Sequence, residues 1–256
     1  MAEVDPRAAS LKEDFIRLRG YWNCAWESVL QLAPDYFAGY VEMCGVPWRT
    51  GTLPAKVKEF IYIAINASTT HLYEPALRAH IANALRYGAT PAEIMEVFRL
   101  ASVLGIHTMV FSMPLLLNLL SSRGSPVDLE QLPPRQRAVR EGFLAARGFW
   151  NPSWDGMLAL APEFTEAHIK MGDATRESGP LEPKIKEFIW ISVDASTTHL
   201  FESGVRNHMT AALKFGATVE EIVEVLELTC DIGAQSVSLG ASILLEEVAK
   251  LQNLER

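Results

Sequence analysis

KVKEFI, at Lys56–Ile61, followed by ASTTHL at Ala67–Leu72, decides how this chain is read. Both return 128 residues later, as KIKEFI at Lys184–Ile189 and ASTTHL at Ala195–Leu200. Trp22, Asn23 and Trp26 return as Trp150, Asn151 and Trp154, and Leu32-Ala33-Pro34 returns as Leu160-Ala161-Pro162. No slip in register separates these matches, so the whole unit is duplicated. We expect two copies, 1–125 and 126–256, each near the commonest domain size. The period is far longer than the roughly 20–50 residues of a solenoid repeat. A tandem pseudo-dimer is the architecture it predicts.

The pattern is helical almost throughout. In the Lys56–Thr70 stretch, Val57, Phe60, Ile61, Ala64 and Ile65 fall at helical spacing, and Tyr62 and Ile63 make the helix apolar nearly all round. Such a helix is buried on several sides, and Lys184–Thr198 repeats the character. A helix over Glu74–Tyr87 ends where Gly88 can supply a left-handed cap. Thr90-Pro91-Ala92-Glu93 reads as a capping box that starts a helix over Pro91–Leu104, and Thr218 with Glu221 repeats the device. Helices over Thr108–Ser121 and Ser236–Leu251 close the two copies. At the front of the first copy we expect one helix over Ser10–Leu32 and another over Pro34–Met43. Ser121–Pro134, rich in Ser, Gly and Pro, reads as the linker. No segment alternates at period two, and the fold class is all-α.

Bulk properties narrow the function. Nearly half of the 256 residues are hydrophobic, 49%, and the net charge is −8. With no Lys/Arg stripe to offset that charge, a nucleic-acid partner is not expected. The N-terminus shows no apolar signal region, and polar residues interrupt the apolar stretches before a bilayer span is complete. Cys24, Cys44 and Cys230 form no CxxC pair and do not match across the copies. A cytoplasmic protein with free thiols is expected.

Each copy holds the same polar set beside its most apolar helix: Glu59, His71, Glu74, Arg78 and His80, then Glu187, His199, Glu202, Arg206 and His208. Histidine is the side chain best placed to move protons near neutral pH, while a structural hydrogen bond kept in both copies is the plainer alternative for His80 and His208. Glu59 and Glu187 serve either as buried acid–base groups or as ion-pair partners of Lys56 and Lys184 three residues away. Glu74 and Glu202 have Arg78 and Arg206 four residues on, the favoured helical orientation. A metal set H-x2-E-x5-H occurs twice, although Glu74 and His80, six residues apart, stand about 240° apart round a helix. His107 and His168 match Gln235 and Tyr40 and are unpaired by type. The mismatches Asn66/Asp194, Tyr73/Phe201, Val103/Asp231 and His107/Gln235 predict that the two pockets differ.

The strip His80, Gly88-Ala89-Thr90, Glu93-Ile94 and Glu96-Val97 resembles the carboxymuconolactone decarboxylase family, related to the alkylhydroperoxidase D-like proteins. It recurs as His208, Gly216-Ala217-Thr218, Glu221-Ile222 and Glu224-Val225. Glu59 and Glu187 resemble the glutamate of the family's preceding helix. The resemblance implies an all-helical fold that assembles through paired subunits into trimers or hexamers. The peroxidase branch of the family has a CxxC before the conserved histidine. Those positions are Tyr73 and Ala76, then Phe201 and Gly204, so its thiol chemistry is not expected. The decarboxylase branch's glutamate four residues before the histidine is also missing at Ala76 and Gly204.

The resulting expectation is a cofactor-free lyase acting on a small carboxylated or lactone-like organic acid. His80 and His208 exchange protons with the substrate, Glu59 and Glu187 orient or relay, and His71, His199, Glu74, Glu202, Tyr73 and Phe201 bind. The alternatives are a non-catalytic small-molecule binding or assembly protein, and a metalloenzyme using the repeated His/Glu set. A homotrimer of chains mimicking a hexamer of single copies is expected, with no membrane partner.

Overall fold

The computed structural model describes residues 6–147 and 150–254, and every regular element among them is helical. In chain order these are α1 (Ala8–Arg19), α2 (Ala25–Leu32), α3 (Pro34–Arg49), α4 (Ala55–Ala67), α5 (Glu74–Arg86), α6 (Pro91–Ser102) and α7 (His107–Ser122). The second copy follows with α8 (Pro134–Arg147), α9 (Asp155–Leu160), α10 (Pro162–Glu177), α11 (Pro183–Ala195), α12 (Glu202–Lys214), α13 (Val219–Cys230) and α14 (Gln235–Leu254). Helix content and tandem organisation agree with the sequence.

The local signals act where they were read. Gly88 and Gly216 adopt φ of +80° and +83°, and the residue after each donates back into the last turn, Ala89 N to Ala84 O and Ala217 N to Ala212 O, both at 2.9 Å. These are left-handed C-terminal caps. Thr90 N donates to Glu93 Oε2 at 2.7 Å while Glu93 N donates to Thr90 Oγ1 at 3.2 Å, and Thr218 and Glu221 repeat the reciprocal pair at 2.9 and 3.1 Å. The residue before Pro34 and Pro162 is forced out of helical geometry, which separates α2 from α3 and α9 from α10.

Two boundaries differ from expectation. The stretch expected as one helix over Ser10–Leu32 is two, because Gly20 takes φ +73° and its N–H closes α1 on Ile16 O at 2.8 Å. Asn23 Oδ1 then accepts from Ala25 N at 3.0 Å to start α2. The second helix does not stop at Met43 but runs to Arg49, carrying Pro47 inside its last turn.

The chain packs as two compact units, Met1–Ala101 with Pro180–Arg256, and Ser102–Gly179. These differ from the sequence copies, which record duplication rather than packing. In the first unit α4 packs against α11 and α13. One core mixes Val57, Ile61, Tyr62 and Ile65 of the first copy with Phe188, Ile191, Val225 and Leu228 of the second. This is the internal pseudo-dimer. A second cluster gathers Phe15, Trp26, Phe37 and Tyr40, with Ala234 in the turn just before α14, and α14 lies along α2. In the other unit α7 packs against α9 and the turn Pro152–Trp154, over a core that includes Phe143, Met157 and Leu158. The repeated tryptophans have matching tasks: Trp22 meets Phe15 edge-on at 5.6 Å, and Trp150 meets Phe143 edge-on at 5.3 Å.

Two helical runs, Pro91–Ser122 and Val219–Leu254, are by length and composition long and apolar enough to cross a bilayer, despite the polar interruptions in the sequence. The opening part of each lies in the protein core, where Ile94, Val97 and Leu100, then Ile222, Val225 and Leu228, are buried.

The copies are joined in the first unit by reciprocal buried ion pairs. Lys58 Nζ lies 2.8 Å from Glu224 Oε1, and Lys186 Nζ lies 2.7 Å from Glu96 Oε1. All four residues are buried. Glu224 Oε2 also accepts from Thr52 N at 2.6 Å and Leu53 N at 3.0 Å, Glu96 Oε2 accepts from Leu181 N at 2.8 Å, and Lys58 Nζ donates to Pro47 O. The ion pairs and the backbone hydrogen bonds to the second glutamate oxygens together offset the cost of burying these charges. Glu224→Leu, which strands Lys58, is expected to cost about 3–5 kcal/mol in urea unfolding, and adding Lys58→Met is expected to recover part of that loss.

Candidate active site

The most apolar helix of each copy carries a glutamate into the protein interior. In the first copy Glu59 Oε2 lies 2.7 Å from Nδ1 of His80 on α5, and both residues are buried. In the second copy Glu187 Oε2 lies 2.7 Å from Nδ1 of His208 on α12. Lys56 and Lys184 do not take these glutamates as partners. They reach Glu93 and Glu221 of the capping boxes at 2.8 and 2.9 Å, because α4 and α11 turn Glu59 and Glu187 inward and leave the lysines at the rim.

The surroundings of the two histidines differ. His80 stacks on Tyr62 with ring centres 4.4 Å apart, and Tyr21 meets its edge at 6.4 Å. Beyond them the buried Arg19 guanidinium lies 4.8 Å from the Tyr62 ring and 4.9 Å from the Trp48 ring, with Asp231 at 3.6 Å. Burial pushes the Tyr21 phenol up to about 12. The second Glu59 oxygen and the Tyr62 hydroxyl are buried with no hydrogen-bond partner among the described residues. His208 instead lies 4.9 Å from the Trp190 ring, with its side chain 24% exposed against 7% for His80.

His71 is held by the other copy. Its Nε2 lies 2.6 Å from Gln235 Oε1, Gln235 Nε2 donates to Asn66 Oδ1 at 2.9 Å, and Asn66 Nδ2 donates to Tyr62 O at 2.8 Å. The first site is therefore built from both copies, since Gln235 and Asp231 come from the second. The counterpart of Asn66 is Asp194, a buried residue with Oδ1 4.0 Å from His199 Nε2 and Oδ2 3.9 Å from His208 Nε2. Burial pushes the Asp194 carboxyl up to about 7, opposed by His208, and burial lowers His199. Gly204 makes this pose possible, because a Cβ there would stand 1.9 Å from Asp194 Oδ2. The first copy pairs Asn66 with Ala76 instead.

Tyr73 lies beside His71, with ring centres 5.7 Å apart, and Phe201 lies beside His199 at 5.6 Å. Glu74 and Glu202 stand apart from this group. They are exposed and bond Arg78 Nε at 2.7 Å and Arg206 Nη2 at 2.9 Å, the local pairing that their spacing allows. The H-x2-E-x5-H set therefore does not converge: His71 turns to Gln235, Glu74 to Arg78 and His80 to Glu59. Between the paired rings, Leu72 and Leu200 adopt φ of +49° and +50°, a strained region for a leucine. The strain accompanies a tight loop in which Tyr73 N reaches Asn66 O at 3.0 Å and Phe201 N reaches Asp194 O at 2.8 Å. The two loops meet at Thr70 and Thr198, whose hydroxyls are 3.1 Å apart.

Arg19 and Tyr62 are site residues that sequence reasoning missed, and Gln235 and Gly204 entered it only as differences between the copies. Tyr62, Gln235 and Gly204 change type, at Trp190, His107 and Ala76, so a search for sameness gives them no role. Arg19 has an arginine counterpart in Arg147, and that match was the available signal.

Fold and site together define an all-helical protein with twin imidazole–carboxylate centres. The sequence pattern of the Carboxymuconolactone decarboxylase family matches residues 34–106 and 162–247, once in each copy. A crystal structure from Burkholderia xenovorans LB400, of a protein described as a "putative gamma-carboxymuconolactone decarboxylase subunit", is 37% identical, with a TM-score of 0.90 over 96% of this chain and 98% of that one. Comparison with curated proteins gives no match. The chain belongs to the carboxymuconolactone decarboxylase family.

The divergence at Asp194 and Gly204 has a measurable consequence. Gly204→Ala is expected to destabilise the protein by about 1–3 kcal/mol through steric conflict with the carboxylate. Asp194→Asn combined with Gly204→Ala copies the Asn66/Ala76 pair and is expected to lose less than Gly204→Ala alone in chemical unfolding.

Proposed function

We propose that this protein is a lyase of the decarboxylase type, acting on a small carboxylated or lactone-like organic acid by proton transfer without a cofactor. The observation that carries this reading is the pair of 2.7 Å contacts between a buried glutamate and a histidine ring nitrogen, one in each copy. Glu59 or Glu187 on Nδ1 fixes the ring and its tautomer and leaves Nε2 to exchange a proton with the substrate. Loss of carbon dioxide leaves electron density on the former carboxyl-bearing carbon. A protonated imidazole supplies both a compensating charge and the proton that carbon takes up, in surroundings from which Tyr62 and Tyr21 help to exclude water. Carboxymuconolactone, the substrate in the name of the family and of its crystallised relative, is the first compound to test.

The test follows carbon dioxide release and substrate consumption by NMR across a panel of carboxylated lactones. His80→Gln combined with His208→Gln is expected to abolish turnover while helix content and melting are retained. Glu59→Gln with Glu187→Gln is expected to slow it about 100- to 10,000-fold. Undiminished turnover in the histidine double variant overturns the assignment.

We also propose that three chains associate. Leu239, Ile243, Leu244 and Leu251 lie exposed along α14, and Phe111, Leu115 and Leu116, the counterparts of the first three, are exposed on α7. Repeated apolar stripes of this kind suit burial between chains. Light scattering is expected to give three times the chain mass of 28.4 kDa, and a monomer at micromolar concentration contradicts it.

A further inference from the structure

We infer that Gln235 and Asn66 are positioning residues that keep a proton on Nε2 of His71, so that His71 gains and loses protons through Nδ1 alone. A main-chain carbonyl sets the direction of the relay. Tyr62 O can only accept a hydrogen bond, so the Asn66 side-chain atom 2.8 Å from it is the amide nitrogen. The other end of the Asn66 amide is then its oxygen. That oxygen accepts from Gln235 Nε2 at 2.9 Å, which turns Gln235 Oε1 toward His71. A carboxamide oxygen has no proton to give, and it lies 2.6 Å from His71 Nε2. The imidazole therefore donates there. Turning either amide round would set one oxygen against another.

The proton stays on Nε2 whether the ring is neutral or charged, because an imidazolium carries a proton on both nitrogens. Nδ1 is thus the atom at which His71 changes charge. His80 is arranged the other way round. Its Nδ1 faces Glu59 Oε2 at 2.7 Å, which leaves Nε2 to exchange. The first site therefore holds two imidazoles that exchange protons through opposite ring nitrogens. Tyr62 is the reference for both, since its carbonyl starts the relay to His71 and its ring stacks on His80 at 4.4 Å. Asn66 is fully buried in the last turn of α4, and Gln235 is the first residue of α14. The backbone of the histidine loop is pinned as well, with His71 N donating to Ser68 O at 2.9 Å. Through the relay, a helix of the second copy sets the proton position on a histidine of the first.

Both members of the relay change type between the copies. Asp194 stands in sequence where Asn66 stands, and His107 where Gln235 stands, so the second copy lacks both amides. His199 Nε2 lies 4.0 Å from Asp194 Oδ1, beyond hydrogen-bond reach. The bonds that place the proton on His71 therefore place none on His199. Asn66 and Gln235 work as a unit: the first has no effect on His71 without the second, and the second is turned the right way by the first. The proton's position depends on hydrogen-bond direction and not on the decarboxylase reading, so it can be tested without substrate.

The full chain is isotopically labelled in the ring nitrogens of histidine, and long-range proton–nitrogen NMR locates the ring protons. His71→Gln and His80→Gln assign the two signals of interest. A proton protected from exchange with water is expected on Nε2 of His71, and another on Nδ1 of His80. Gln235→Leu removes the acceptor and is expected to lose the protected His71 signal while keeping that of His80. Gln235→Glu retains an acceptor oxygen and is expected to keep the protected Nε2 proton. Asn66→Ala frees the Gln235 amide to turn and is expected to lose the protection. Circular dichroism confirms that each variant is folded. A His71 proton found on Nδ1, no protected proton on that ring, or an unchanged His71 signal in folded Gln235→Leu overturns the inference. Loss of both signals in folded Gln235→Leu also counts against it, since Gln235 then does not act on His71 in particular.

Discussion

The reciprocal burial of Lys58 against Glu224 and Lys186 against Glu96 is the constraint on which the rest of the first unit depends. Taking four charges out of water is costly, and the attraction within each pair does little more than offset that cost. Each pair ties a helix of one copy to a helix of the other, Lys58 of α4 to Glu224 of α13 and Lys186 of α11 to Glu96 of α6. The glutamates also bond backbone N–H groups ahead of α4 and α11, which fixes where those helices begin. Lys58 and Glu59 are neighbours in sequence, about 100° apart around the helix. One faces the other copy and the next faces His80, so the register that matches the charges also aims the candidate site.

That coupling explains why the first site is composite. His71 is positioned by Gln235, and Arg19 lies 3.6 Å from Asp231, both on segments of the second copy. The first copy cannot be assigned its site by its own residues alone. The left-handed Leu72 and Leu200 belong to the same design: retaining a strained leucine at both positions means the surrounding hydrogen bonds, rather than local preference, set the loop.

Much of the fold was legible because its signals are local. The capping boxes, the left-handed glycines and the helix-breaking Ala-Pro steps act over a few residues and behave the same in both copies. The break at Gly20 was obscured by the apolar pattern continuing across it, and Pro47 sits in a helix whose continuation depends on packing. The glutamate–histidine pairs were anticipated as candidates. Their partnership was hidden because Lys56 at i−3 is an equally sensible partner for Glu59 on paper, and only burial separates the choices. Glu74 shows the reverse, where the simple i,i+4 partner prevails. The contribution of Gln235 to the first site lies in tertiary structure, and no spacing rule reaches 164 residues along the chain.

The single chain also changes what mutation can do. In an assembly of identical one-copy subunits, a codon change places the same new side chain in every site at once, and an experiment in one pocket is an experiment in all of them. Here Asn66 and Asp194 are encoded separately. One pocket could acquire a carboxylate while its twin kept the amide, and a bulkier residue could persist at position 76 after glycine became necessary at position 204. With both copies in one chain, the two sites differ at these positions while the charge-matched core joins the copies.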